Sequence, residues 1–141
     1  MKNLSIKIVL TTLILFFALG EGCREEIIPP NNPAGNINEP VSTNTRNTYS
    51  FVINAENLDI DVTDYPKLFS NHSRMYFYIS DYGSGSVEVS LRNQNSVIFY
   101  NDVVANNLDG QYIEVRNNYT SSIQIKCSAF SGKLKIQISS L

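Results

Sequence analysis

From Tyr49 onward the chain alternates between apolar and polar positions with a period of two. Leu58, Ile60 and Val62 alternate with Asn57, Asp59, Asp61 and Thr63, and Met75, Phe77 and Ile79 with Arg74, Tyr76, Tyr78 and Ser80. Val87, Val89 and Leu91 alternate with Ser86, Glu88 and Ser90. Ile123, Ile125, Cys127 and Ala129 alternate with Ser122, Gln124, Lys126 and Ser128, and Leu134, Ile136 and Ile138 with Lys133, Lys135, Gln137 and Ser139. Such alternation puts one side of a strand in a core and the other in water. Three further strands are expected at Tyr49–Asn54, Ser96–Tyr100 and Gln111–Arg116.

Residues suited to turns separate these runs: Gly83-Ser84-Gly85, Asn93-Gln94-Asn95, Asn106-Asn107, Asp109-Gly110, Asn117-Asn118 and Ser131-Gly132. Asn and Gly tolerate the left-handed backbone that tight turns demand. Asp64–Phe69 reads as a turn or a single helical turn. About eight short strands and no amphipathic helix predict an all-β fold, an antiparallel β-sandwich with an open β-barrel as the alternative.

The first 47 residues follow other patterns. Met1-Lys2-Asn3 and Lys7 precede an apolar run from Ile8 to Leu19, and then come the small residues Ala18 and Gly20. A charged start and a short apolar stretch describe a secretory signal peptide, and the run falls short of the roughly 20 apolar residues of a membrane span. Ordinary signal peptidase would cut after Gly20, leaving Glu21 first. From Arg24 to about Asn47 the chain is polar, with Pro29, Pro30, Pro33 and Pro40 among many Asn, and it has neither period. That composition reads as a disordered tether whose coil spans roughly 25–30 Å.

Leu19-Gly20-Glu21-Gly22-Cys23 resembles the lipobox of bacterial lipoproteins, and Arg24-Glu25-Glu26 is similar to the tag that sends Bacteroidetes lipoproteins to the cell surface. The resemblance covers only the first twenty-six residues or so. It implies a diacylglyceryl group on the Cys23 thiol and cleavage just before that residue. Several acyl chains anchor a protein stably where a single one does not. The organisation expected is therefore a leader over 1–22, a lipidated Cys23 with a tether over 23–47, and a β-sandwich over 48–141. The expected location is the bacterial outer membrane, with a secreted or periplasmic protein as the alternative.

Composition narrows the function. The formal net charge of −2 and the lack of a basic stripe argue against a nucleic-acid partner. With Cys23 acylated, Cys127 stands alone, on the same strand face as Ile123 and Ile125, and reads as a small core residue. With Glu21 first instead, a Cys23–Cys127 bridge would be open. His72 is the single histidine, in the loop-type sequence Asn71-His72-Ser73, and no nucleophile motif accompanies it. One His and one strand Cys do not make a zinc site. Asp59, Asp61, Asp64 and Asp81 supply oxygens but no calcium-loop pattern. No cofactor is expected. Asn71-His72-Ser73 and Asn118-Tyr119-Thr120 match the glycosylation sequon, which a bacterial lipoprotein rarely uses.

Tyrosines are the remaining candidates. Tyr76 and Tyr78 fall on the face opposite Met75, Phe77 and Ile79, with Tyr65 and Tyr82 in adjoining loops. A flat apolar ring with a polar tip suits sugar or protein recognition, and equally suits covering a sheet. The reading is a non-enzymatic envelope lipoprotein presenting a binding or accessory module, anchored to the membrane by lipid, with a glycan or an envelope protein as partner. The alternatives are a structural envelope protein, or an enzyme subunit using His72.

Overall fold

A computed structural model describes residues 36–141. The fold is all-β and antiparallel. Its strands are β1 (Val41–Asn44), β2 (Thr48–Asp64), β3 (Ser73–Arg92), β4 (Ile98–Val104), β5 (Leu108–Val115) and β6 (Ser122–Ser140). They run β1-β2-β6-β3-β4 across one sheet, and β5 also pairs with β3.

Three of these strands are far longer than the alternating runs within them. β2 joins the runs expected around Tyr49–Asn54 and Leu58–Thr63, and β3 joins those around Met75–Ile79 and Val87–Leu91. β6 joins those around Ile123–Cys127 and Leu134–Ile138. Gly83-Ser84-Gly85 and Ser131-Gly132 therefore do not reverse the chain. They lie where the ladders slip register, between Ser80 and Ser86 of β3 and between Ala55 and Ile60 of β2. The strands carry residues of positive φ at the same level: Asn57 in β2, Asp81 and Gly85 in β3, Ala129 and Gly132 in β6. These are β-bulges, which bend a strand and use the same left-handed residues as a turn.

The bulges crease the sheet into two layers. In the first, β1, the start of β2, the end of β6, the start of β3 and β5 lie side by side. In the second, the end of β2, the start of β6, the end of β3 and β4 do so. Both β4 and β5 run antiparallel to β3 along the same edge, so the chain continues in one direction through Asn106-Asn107. Tyr49, Phe51, Ile53, Met75, Phe77, Leu134 and Ile136 of the first layer share one buried cluster with Val87, Val89, Leu91, Ile123 and Ile125 of the second. Each layer covers the other's apolar face, which satisfies the need of an amphipathic sheet for a partner.

Backbone groups freed at the crease find side chains. Ser131 Oγ accepts from Asn57 N at 2.9 Å, Asp59 Oδ1 accepts from Ala129 N at 2.9 Å, and Tyr82 Oη donates to Gly85 O at 2.9 Å. Lys133 Nζ and Asp81 pair at 2.7 Å across it. Buried peptide groups are costly when unpaired, so these contacts let the long strands bend without being interrupted.

The segment Asn36–Asn47, read from composition as the end of the tether, is structured. Val41–Asn44 pairs with Tyr49–Val52, and Asn38 N donates to Asn54 O at 2.8 Å. All four β1 residues are exposed, so the strand carries no apolar alternation to betray it. The leader, Cys23 and the tether up to residue 35 lie outside the described residues.

Candidate functional site: a tyrosine face on the first layer

Three adjacent strands of the first layer build one outward face. Alternation in β3 turns Met75, Phe77 and Ile79 inward, all essentially buried, and so turns Arg74, Tyr76 and Tyr78 outward. In β6 the inward residues are Leu134, Ile136 and Ile138, which leaves Lys135, Gln137 and Ser139 outside. In β5, Val115 is buried and Tyr112 and Glu114 are exposed. The registers then set the rows: Tyr76 stands between Tyr112 and Gln137, Arg74 between Glu114 and Ser139, and Tyr78 beside Lys135.

The rings of Tyr76 and Tyr78 are nearly parallel, with centroids 6.2 Å apart and planes 10° apart. Tyr112 tilts against Tyr76 at 5.0 Å and 50°. The Arg74 guanidinium lies 6.0 Å from the Tyr112 centroid, within reach of a cation–π contact. Tyr112 is 68% exposed. Partial burial raises the Tyr76 phenol above its ordinary pKa, with neighbouring Tyr112, Tyr78 and Asp109 adding to the effect. A groove of about 410 Å³ opens over the strands, lined by Arg74, Tyr76, Tyr112, Lys135, Gln137, Ser139 and Leu141.

Next to the groove, His72 Nε2 and Glu114 Oε1 are 2.7 Å apart, and Arg116 donates to Glu114 Oε2 at 2.9 Å. The hydrogen bond from His72, then that from Arg116, hold the Glu114 carboxyl below the usual glutamate range. His72, in the loop before β3 and partly exposed, is one member of a surface hydrogen-bond network with Glu114 and Arg116. Among the described residues no Ser, Thr or Cys side chain bonds to its ring.

The four tyrosines singled out from the sequence separate. Tyr76 and Tyr78 share the face. Tyr65 is 69% exposed, in the loop after β2, where its carbonyl accepts from Asn44 Nδ2. Tyr82 packs against the core at the crease and bonds to Gly85, so its role is in the bend. Tyr112, Arg74, Lys135 and Gln137 complete the face. Their outward parity is readable in each strand separately. Which strands adjoin is not, because the β3–β6 pairing joins segments far apart in sequence.

The acidic residues have protein partners. Asp61 accepts from Gln124 at 2.8 Å, Asp64 from Tyr49 at 2.7 Å, Asp59 from Ala129, and Asp81 pairs with Lys133. Among the described residues no three His, Cys, Asp or Glu side chains are grouped to hold a metal ion. Cys127 is buried in the core cluster as a free thiol, and burial, with Asp59 nearby, pushes its pKa up to about 11.

No protein-family model matches the chain, and no curated protein matches it. Among solved structures, the chain is similar to a subunit of Bacillus endospore appendages, which form a family of disulfide-linked pili. The identity is 16% and the TM-score 0.44, over 79% of this chain and 98% of that one. It is also similar to a chain from the accessory secretory proteins 1, 2 and 3 of Streptococcus pneumoniae, at 6% identity and TM-score 0.37, over 81% and 91%.

Proposed function

We propose that the protein is a non-enzymatic, lipid-anchored module of the bacterial cell envelope that binds its ligand across the tyrosine face of the first layer. The observation that carries this reading is the cluster of Tyr76, Tyr78 and Tyr112 on the water side of strands whose inward residues already fill the core. Tyr76 and Tyr78 point away from Met75, Phe77 and Ile79, which already face the core, and Tyr112 is exposed. Clustered tyrosine rings with cationic and amide groups at their edges are the composition of recognition surfaces. The anchor rests on the sequence around Cys23.

Two experiments test the two halves. The full chain carrying Tyr112→Ala should fail to capture its partner from intact cell envelope while melting within a few degrees of wild type; undiminished capture overturns the proposed face. Cys23→Ala should release the protein from the membrane fraction. A mature N-terminal peptide of the wild type without added lipid mass overturns the anchor.

A further inference from the structure

We infer that the ligand of the tyrosine face is an anionic saccharide, an inference that rests on the binding reading above. The groove holds two cations, Arg74 and Lys135, and its lining contains no carboxylate side chain. Neither cation forms a salt bridge among the described residues, where the only pairs are His72–Glu114, Arg116–Glu114 and Lys133–Asp81. Glu114 stands directly across from Arg74 in the ladder, yet its two oxygens are taken by His72 and Arg116. Arg74 is left lying against Tyr112. Lys133, two residues before Lys135, is likewise neutralised by Asp81, while Lys135 points to the groove. In a chain of formal net charge −2, two unpaired cations beside an aromatic cluster form a local site complementary to a negative ligand.

The rest of the groove selects a sugar over an acidic peptide. β3 and β6 are each paired on both sides in this layer, so the floor of the groove offers no free backbone edge to an extended peptide; β5, paired only with β3, keeps one on its outer side. On the groove floor, recognition comes from side chains. The faces of Tyr76 and Tyr112 suit the apolar C–H face of a pyranose, and Gln137 and Ser139 offer donors and acceptors to hydroxyls. The Arg74 fork suits a planar carboxylate or a sulfate oxygen pair. A volume of about 410 Å³ falls in the ordinary range of small-ligand pockets.

The full chain is tested against two matched pairs of probes, polygalacturonate with its fully methyl-esterified form and dextran sulfate with dextran, and against polyglutamate. The variants are Tyr112→Ala, Arg74→Gln with Lys135→Gln, and a control of equal charge change, Lys67→Gln with Lys126→Gln, both exposed and outside the groove. Wild type should bind at least one charged polysaccharide about tenfold or more tightly than its neutral partner, weaken with salt, and lose that preference in the groove double variant but not in the control. Equal binding of charged and neutral forms, lost only in Tyr112→Ala, overturns the anionic assignment and leaves the tyrosine face standing. Charged-polymer binding unchanged in both groove variants overturns the assignment and the face together. Binding of polyglutamate alone, or of no saccharide, overturns the assignment.

Discussion

Gly110 lies beneath the ring of Tyr76: a Cβ placed there would come within 2.8 Å of Tyr76 Cε2 and 2.9 Å of its hydroxyl. The glycine sits at the register shift in the β3–β5 ladder, between the Phe77–Gln111 and Ile79–Leu108 pairs, with φ of +67°. It serves two purposes, a left-handed backbone and a vacancy for the ring. Gly110→Ala should cost about 1–2 kcal/mol in urea unfolding, mostly from the backbone. Gly110→Asn should recover part of that loss, because Asn tolerates the left-handed region. Both should move the Tyr76 ring, seen as loss of the Tyr76–Tyr112 ring contacts by NMR. Retention of those contacts in either variant would show that the glycine does not position the ring.

The pair of glycines in Gly83-Ser84-Gly85 separates a crease from a turn. A Cβ at Gly85 would stand 2.3 Å from the carbonyl oxygens of both Ser128 and Ala129, at φ of +80°, whereas one at Gly83 meets Ser131 at ordinary distances, its Cβ at 3.4 Å and its carbonyl oxygen at 3.7 Å. Gly85→Ala should destabilise by about 2–4 kcal/mol because backbone must move. Gly83→Ala should stay within about 0.5 kcal/mol of wild type. Equal effects in thermal melts would contradict the crease.

Tyr49 is wholly buried, and its hydroxyl donates to Asp64 Oδ2 at 2.7 Å, tying the two ends of the bent strand β2 together. Tyr49→Phe should cost about 1–3 kcal/mol, since a charged acceptor loses its partner. Burial first, then Asp64, raises the Tyr49 phenol far above 10. The folded state therefore keeps this proton when the unfolded chain releases it, so the contribution is complete below pH 10 and drains away as pH climbs above it. The alkaline unfolding of Tyr49→Phe should be correspondingly shallower than that of wild type.

Glu114 titrates in the opposite sense. Its folded pKa lies below the ordinary 4.5 because of His72 and Arg116, so any stabilisation is present above pH 4.5 and disappears as pH falls through the folded value. Glu114→Gln should make the acid limb of the stability profile shallower, with the two proteins converging once Glu114 is protonated. In the same variant Arg116 and His72 lose the shared carboxylate, and a single amide oxygen remains to accept from one of them. A wild-type and variant difference that grows below pH 4.5 would refute the assignment.

Much of this architecture is legible along the chain. The inward set from Tyr49 to Ile138 follows from alternation, because each layer needs one dry face. The outward placement of Tyr76 and Tyr78 follows from the same parity. The continuity of β2, β3 and β6 does not. Asn57, Asp81, Gly85 and Gly132 signal a left-handed backbone, and that signal is identical for a chain that reverses and one that bends onward. β1 is hidden for a different reason: an exposed edge strand is held by backbone bonds to β2, and those are sequence-independent. Tyr112 and Lys135 join Tyr76 only through ladder registers, which no local pattern encodes.

Three strands pass from one layer to the other, and this gives the domain a mechanical property. A sandwich of two separate sheets has a seam along which the halves can slide. Here any sliding must drag β2, β3 and β6 through their bulges at once. Shear is met by covalent chain at three places instead of by side-chain packing alone. A module held at one end and loaded by its ligand at the other would transmit that load as a single rigid body.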